Sequence, residues 1–178
     1  GLAGAQKAHL ACALAVRTGR PLVFLCDSER SAAQTMEDVS ALMGSGVSLF
    51  PAREITFYQD VAASREVAYR RIEAMRKLVS GEIRAIVAPA DAMLHRVMPR
   101  AVFSANTISL RVGDVLPTDQ LIERLLAAGY TREYMVEGKG QFSVRGGIID
   151  VYPADALSAV RIEFFDDELD SIRAVDVM

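Results

Sequence analysis

The sequence has few of the residues that build metal sites. Among its 178 residues there are only two cysteines and two histidines. Cys12 and Cys26 lack C-x-x-C spacing, and His9 and His95 complete no zinc cluster with them. We therefore expect no metal site, and a reducing cytoplasm is the default compartment for such a chain.

Long apolar runs are also missing. The longest, PLVFL at 21–25 and AIVAPA at 85–90, fall far short of the roughly 20 residues that a membrane span requires. We therefore expect no membrane partner. The sequence shows neither an initiator methionine nor a signal peptide, and we expect it to be a segment of a longer protein.

No strong excess of either charge is present, because the formal net charge is only -3. The distribution is uneven, however. Residues 1–106 carry 13 Lys and Arg against 10 Asp and Glu, whereas the remainder carries 7 against 13. This asymmetry is typical of two modules with different partners.

The first half alternates between helical and apolar strand signals. Apolar strands separated by helices of this length predict a parallel sheet with helices on both faces. Ser28 is the expected cap of the second helix, and Gly44 its expected end. The predicted helices cover 5–18, 28–44 and about 62–79, and the predicted strands cover 21–27, 47–51 and 85–90.

The second half predicts one helix and a small antiparallel sheet. The helix is TDQLIERLLAAG at 118–129, with Thr118 as its expected cap and Gly129 as its end. From Arg132 onward the apolar residues recur with period two, which is typical of strands. The period-two stretches are REYMVE, QFSVRG, GIIDVYP, VRIEFFDD and ELDSIRAVD.

The first eight residues fit the phosphate-loop pattern G-x-x-x-x-G-K-[ST] with two mismatches. Gly1, Gly4 and Lys7 fit a glycine-rich loop with its lysine, but Gln6 stands in place of the last glycine and Ala8 in place of the hydroxyl residue. Gln6 obstructs the close approach of a phosphate, and Ala8 cannot coordinate Mg²⁺. Two interpretations stay open here, an ordinary turn entering a helix and the remnant of a nucleotide site.

A nucleotide hydrolase also needs an apolar strand that ends in acidic residues, and IEFFDDELD at 162–170 offers a candidate. Alternation favours a different interpretation. Val160, Ile162 and Phe164 fall on one face of the strand and Arg161 on the other, which is typical of a half-exposed antiparallel strand. We therefore expect DDELD to form a hairpin turn.

The same alternation leaves Phe165 exposed beside Arg161, and in SVRGG it leaves Ser143 and Arg145 pointing outward. Aromatic residues and arginines are the types that most often anchor protein interfaces. The pattern fits either a protein-binding patch or a solvated face with a single exposed phenylalanine.

A basic helix, REVAYRRIEAMRKLV, is a possible nucleic-acid surface. Glu66 and Glu73 lie within helical reach of its arginines, so a solvated helix with internal ion pairs is the preferred interpretation. Its basic residues are Arg65, Arg70, Arg71, Arg76 and Lys77.

Five segments together resemble the N-terminal region of the bacterial transcription-repair coupling factor family, Mfd, which is itself similar to the damage-recognition protein UvrB. In order they are GLAGAQKAHL, LFPAREITFYQD, AIVAPADAMLHRV, GQFSVRGGIIDVYPA and VRIEFFDDELDSIR. UvrB-type proteins have an intact phosphate loop and a long aromatic hairpin after the segment that matches FYQD. Gln6, Ala8 and the direct passage from FYQD into a helix favour the coupling-factor family.

The resemblance implies an α/β fold in two domains. Residues 1–104 would be domain 1a, an incomplete RecA-like parallel sheet with flanking helices and a vestigial phosphate loop. Residues 105–178 would be domain 2, a small α+β antiparallel-sheet module that binds UvrA. By the family's motifs, Arg145, Arg161 and Phe165 would contact UvrA.

The resemblance also implies a non-catalytic recruiting module without a cofactor. In the parent protein, ATP and Mg²⁺ would act in a translocase motor outside this chain, and RNA polymerase and double-stranded DNA would be further partners. The alternative is a fragment of a UvrB-type, nucleotide-dependent protein that binds damaged DNA, with Lys7 contacting phosphate. DNA binding by the chain itself is expected to be weak or absent.

Overall fold

The computed structural model describes residues 1–2, 4–53 and 61–176, and for residues 61–64 it describes the backbone alone. Residues 54–60, which include the FYQD segment after which UvrB-type proteins carry the aromatic hairpin, lie outside the described part. The chain divides into two compact units, residues 1–100 and 101–178. Among the described helices, none is both long and apolar enough to cross a membrane.

The first unit is built on a parallel sheet in the strand order β1, β3, β2. The predicted helices and strands all form, with bounds within a few residues of expectation. Its elements are α1 (Ala5–Thr18), β1 (Leu22–Cys26), α2 (Glu29–Met43), β2 (Val47–Leu49), α3 (Val61–Ser80), β3 (Ala85–Pro89) and α4 (Ala90–Met93). A short helix, α5 (Arg100–Ala105), follows.

Helices cover both faces of the central strand β3, as the sequence predicts. Val87 packs in an apolar cluster with residues of α1 and α2. The next residue, Ala88, points to the opposite face and packs with Ala74 of α3. On β1, by contrast, Val23 and Leu25 are exposed, so that one face of this strand is open within the described residues.

Helix α2 begins and ends at the predicted residues. Ser28 caps its N-terminus in a reciprocal pair with Ser31, and Gly44 ends it by donating its backbone N–H to Ser40 O at 2.8 Å. Asp27 lies just before the cap and accepts hydrogen bonds from Ser31 and Ser28. These bonds stabilise the carboxylate and hold the pKa of Asp27 below its ordinary value.

The second unit is a five-stranded sheet with one long helix against its inner face. The strands lie in chain order, β4 to β8, and the core joins Leu121 and Leu125 of the helix to Phe142, Ile149 and Leu169 of the sheet. The elements are α6 (Thr118–Ala127), β4 (Thr131–Arg132), β5 (Gln141–Arg145), β6 (Ile148–Val151), β7 (Ala159–Phe165) and β8 (Glu168–Val175). The α/β class is thus confirmed.

Three local predictions for this unit are wrong. The sheet is mixed, because β4 pairs with β5 in parallel, and REYMVE is a loop beyond Arg132. The Gln141 side chain accepts the backbone N–H groups of Glu137 and Gly138 at 2.8 and 3.0 Å, and the Glu133 N–H donates to Phe142 O at 2.8 Å, so these loop N–H groups are satisfied without a continuous strand. Helix α6 begins one residue early, so Thr118 is inside the helix and no side chain caps it.

Candidate protein-interaction surface

Strand β7 separates the core of the second unit from its outer face, as its alternation predicts. Ile162 is buried in the core, and Val160 and Phe164 pack against it. Arg161 and Phe165 therefore lie on the opposite side of the strand. The turn that follows is the predicted hairpin: Asp166, with a φ of 52°, and Asp167 join β7 to β8.

Strand pairing sets which residues share the outer face with Arg161 and Phe165. Residues directly opposite each other in a ladder point to the same side of a sheet. One row across the sheet contains Ser143, Asp150, Arg161 and Arg173. The neighbouring row contains Arg145, Ile148, Glu163 and Ser171. We call these two rows, with Phe165, the outer face.

Phe165 is 75% exposed, which confirms the sequence prediction for this residue. It pairs across the hairpin with Glu168, and Glu168 forms a bridge to Val115 on its other side. Val115 is also 75% exposed, and backbone bonds of 2.7–2.9 Å hold its segment to the β8 edge. The backbone of Val115 thus lies two strand spacings, about 10 Å, from the backbone of Phe165.

Val115 was missed by sequence reasoning. It stands in a segment without clear periodicity, and only its bridge to Glu168 brings it beside Phe165.

A two-glycine turn positions Arg145 at the end of β5. Gly146 has a φ of 60°, which favours glycine. Gly147 approaches β7 so closely that a Cβ placed on it would lie 3.0 Å from the carbonyl oxygen of Phe164. Both glycines are therefore needed to bring Arg145 into the hairpin that adjoins β7.

Arg145 is exposed and lies beside an exposed tyrosine. Its guanidinium carbon is 5.7 Å from the centre of the Tyr134 ring, and its Nη2 donates weakly to Tyr134 O at 3.4 Å. Tyr134 is itself 91% exposed. A shallow hollow of about 360 Å³ is lined by Arg145 and Tyr134 together with Arg132, Glu133 and Val144. Sequence reasoning assigned Tyr134 to a strand and missed it.

Arg161 differs from the prediction of an openly exposed arginine. Its Nε and Nη2 donate to the two carboxylate oxygens of Asp150 at 2.7 and 2.8 Å. The side chain of Arg161 is 31% exposed and that of Asp150 only 12%. Hydrogen bonding to Asp150 raises the pKa of the Arg161 guanidinium, so this arginine stays charged.

Ser143 was expected to point outward, and it lies in the outer row but is buried. Its neighbour in that row is Asp150, so a small hydroxyl side chain lies beside the carboxylate that holds Arg161. Further along, Glu163 accepts hydrogen bonds from Arg173 and from Ser171, the latter at 2.8 Å. Paired charges therefore cover the centre of the outer face, whereas Arg145 and Phe165 extend from its end.

The glycine-rich N-terminus turns directly into α1. Gly4, with a φ of 48° and a ψ of -132°, precedes the helix, and Gln6 and Lys7 are exposed in its first turn. Ala8 is buried in the core of the first unit. Helical backbone therefore begins at Ala5, inside the part of the pattern that wraps phosphate in an intact loop.

The basic residues of α3 are largely engaged, as their interleaving with glutamates predicts. Arg70 pairs with Glu66 at 3.1 Å, Lys77 pairs with Glu73 at 2.5 Å, and Arg76 pairs with Glu82. Arg65 is exposed.

Arg71 differs from these residues, because it is buried and belongs to no surface. It donates to Pro51 O at 2.6 Å and lies 3.9 Å from the centre of the Phe50 ring.

Comparison with known proteins identifies one matching domain family and several similar proteins of one name. Residues 108–178, which include the whole outer face, match the UvrB interaction domain family. The transcription-repair-coupling factor of Bacillus subtilis is 35% identical over 98% of this chain and 15% of its own length. The chain belongs to the transcription-repair-coupling factor family. The proteins of this name from Myxococcus xanthus and Escherichia coli are 34% and 26% identical over 99% of the chain.

These comparisons confirm the resemblance drawn from the sequence motifs. The chain spans about 15% of the length of the coupling factors that it matches. The surface with exposed arginine and aromatic side chains lies within the stretch that matches the UvrB interaction domain.

Proposed function

We propose that this chain is the part of a transcription-repair coupling factor that binds UvrA. The observation that carries the proposal is the coincidence of the exposed Arg145 and Phe165 with a match to the UvrB interaction domain. Arg145, Arg161 and Phe165 would contact the partner, with Val115 as an additional apolar contact. Aromatic residues and arginines are the types that most often anchor protein interfaces.

In this proposal the chain recruits and does not catalyse. The parent protein would use an ATP-driven motor outside this chain to act on stalled RNA polymerase and on double-stranded DNA. This chain would then deliver the nucleotide excision repair machinery through UvrA. The residues 1–104 would serve as a scaffold (domain 1a), and residues 105–178 as the binding module (domain 2).

We further propose that the N-terminal turn is a vestigial phosphate loop without a cofactor. Two features support this: α1 already begins at Ala5, and the Ala8 methyl group, in the position of the metal-binding hydroxyl, is packed in the core. A titration with fluorescent ATP and Mg²⁺ tests it, and we expect no saturable binding. Saturable binding that Lys7→Ala abolishes would favour the UvrB-type alternative.

The UvrA assignment is tested by charge reversal at the exposed arginine. We expect the wild-type chain to retain UvrA in a pull-down and Arg145→Glu to lose most of that binding. Arg124→Glu on α6 is the matched control, because it makes the same charge change at an exposed position outside the sheet. Equal retention by Arg145→Glu and the wild type would contradict the assignment.

A further inference from the structure

We infer that Asp150 is a positioning residue for partner binding, which it promotes by holding Arg161 in one orientation. The inference rests on the proposed function of the outer face. Asp150 and Arg161 are directly opposite each other on β6 and β7. Their two hydrogen bonds, at 2.7 and 2.8 Å, form the fork that an arginine makes with a carboxylate.

The two side chains of this pair are unequally exposed. The Asp150 side chain is 12% exposed and that of Arg161 is 31% exposed, so Arg161 is the more accessible of the two to a partner. The two bonds to Asp150 use two of the five N–H donors of the guanidinium. The remaining donors are fixed in a plane whose direction Asp150 sets, and they are available to an acceptor on the partner.

The charged groups around the pair also favour the orientation of Arg161 toward Asp150. Arg173 is directly opposite Arg161 on β8, but it pairs with Glu163. Each arginine thus has its own carboxylate. The bonds to Asp150 are the main reason that the pKa of Arg161 is raised, and the negative charge of Glu163 acts in the same direction.

A fixed guanidinium lowers the entropic cost of binding. Ordering a long, mobile side chain at an interface costs about 0.5–1.5 kcal/mol, which corresponds to roughly a two- to tenfold loss of affinity. Because the bonds to Asp150 already order the Arg161 side chain when the chain folds, this entropy is not lost again on binding. A purely electrostatic role predicts the opposite sign, because removal of the carboxylate would leave Arg161 with an uncompensated positive charge for an acidic partner.

The test is a double-mutant cycle measured by calorimetry with UvrA on the intact chain. We expect Asp150→Asn to weaken binding about two- to tenfold in the wild-type background and to have no further effect in an Arg161→Ala background. Arg161→Lys keeps the charge but cannot form the fork, and it should weaken binding to a similar extent. Asp119→Asn removes one negative charge from α6, outside the outer face, and should leave affinity unchanged.

Several results would overturn the inference. Tighter or equal binding by Asp150→Asn would do so, as would an equal loss in both backgrounds, which indicates a structural role. The Nε–H resonance of Arg161 provides a measurement that needs no partner: we expect it to be resolved in the wild type and lost in Asp150→Asn. If the wild-type chain does not bind UvrA, the proposed function is contradicted. If it binds but the double-mutant cycle shows no coupling between Asp150 and Arg161, only this inference is contradicted.

Discussion

Replacing Phe165 with alanine removes an aromatic ring that is 75% exposed at the end of the outer face. A phenylalanine buries roughly 150–250 Å² when it is covered. About three quarters of that area is open here, so the substitution would remove on the order of 110–190 Å² of apolar contact. At about 25 cal/mol per Å² this area corresponds to an upper limit of about 3–5 kcal/mol.

The measured loss of affinity should lie at or below that limit. The remaining Cβ keeps some contact, and truncation of an interface anchor typically costs about 1–3 kcal/mol. We therefore expect the Kd for UvrA to rise about 5- to 150-fold. The isolated chain should melt within a few degrees of the wild type, because an exposed ring contributes little to folding.

Isothermal titration calorimetry with UvrA measures the change directly. Leu157→Ala is the control, since Leu157 is 97% exposed in the loop between β6 and β7, outside the outer face. The control should bind as the wild type does. A folded Phe165→Ala chain with wild-type affinity would refute the reasoning.

Arg161→Ala is a less direct probe of the interface, because it leaves Asp150 without its partner and costs about 1–3 kcal/mol of stability.

Three further predictions address the scaffold and the edge of the surface. Gly147→Ala should lower the free energy of unfolding by about 1–3 kcal/mol in a denaturant titration, because its Cβ would meet Phe164 O at 3.0 Å; unchanged stability would contradict this close approach. The pKa of Asp27 is held low by hydrogen bonds, so its contribution to stability is present above the ordinary aspartate pKa and lost as pH falls through the folded value. An NMR titration of the Asp27 carboxyl should show this low value, and an ordinary pKa would be inconsistent with those bonds. Val115→Ser should weaken UvrA binding by about threefold without changing the melting temperature, and unaltered affinity would remove Val115 from the interface.

Alternation and glycine placement were sufficient to predict much of the second unit. Ile162 and Phe164 point inward and Phe165 outward, as a period of two requires. The hairpin at Asp166 was also predictable, because polar turn residues separate two alternating stretches. These features depend on residues that are close together in the sequence, so the sequence pattern alone indicates them.

Features that depend on distant partners were not predictable in this way. The pairing of Arg161 with Asp150 joins residues on different strands, and the open position predicted for Arg161 is wrong for that reason. The pattern of α3 places Arg71 among its surface cations, but Arg71 is buried against Phe50 and Pro51. The period-two pattern predicts a strand through Tyr134, but it cannot reveal that β4 ends at Arg132 and that the Gln141 side chain accepts the N–H groups of Glu137 and Gly138.

The sequence motifs indicate the family, whereas alternation and burial do not. Exposure of Phe165 alone was equally compatible with a solvated face. The match of residues 108–178 to the UvrB interaction domain makes partner binding the preferred interpretation of that face.

Binding of UvrA to the wild-type chain is the measurement that tests the central claim most directly. Calorimetry in the absence of nucleotide should show saturable binding with one site per chain, because the proposed surface lies within residues 101–178 and needs no cofactor. Absence of detectable binding by a chain shown to be folded would contradict the account.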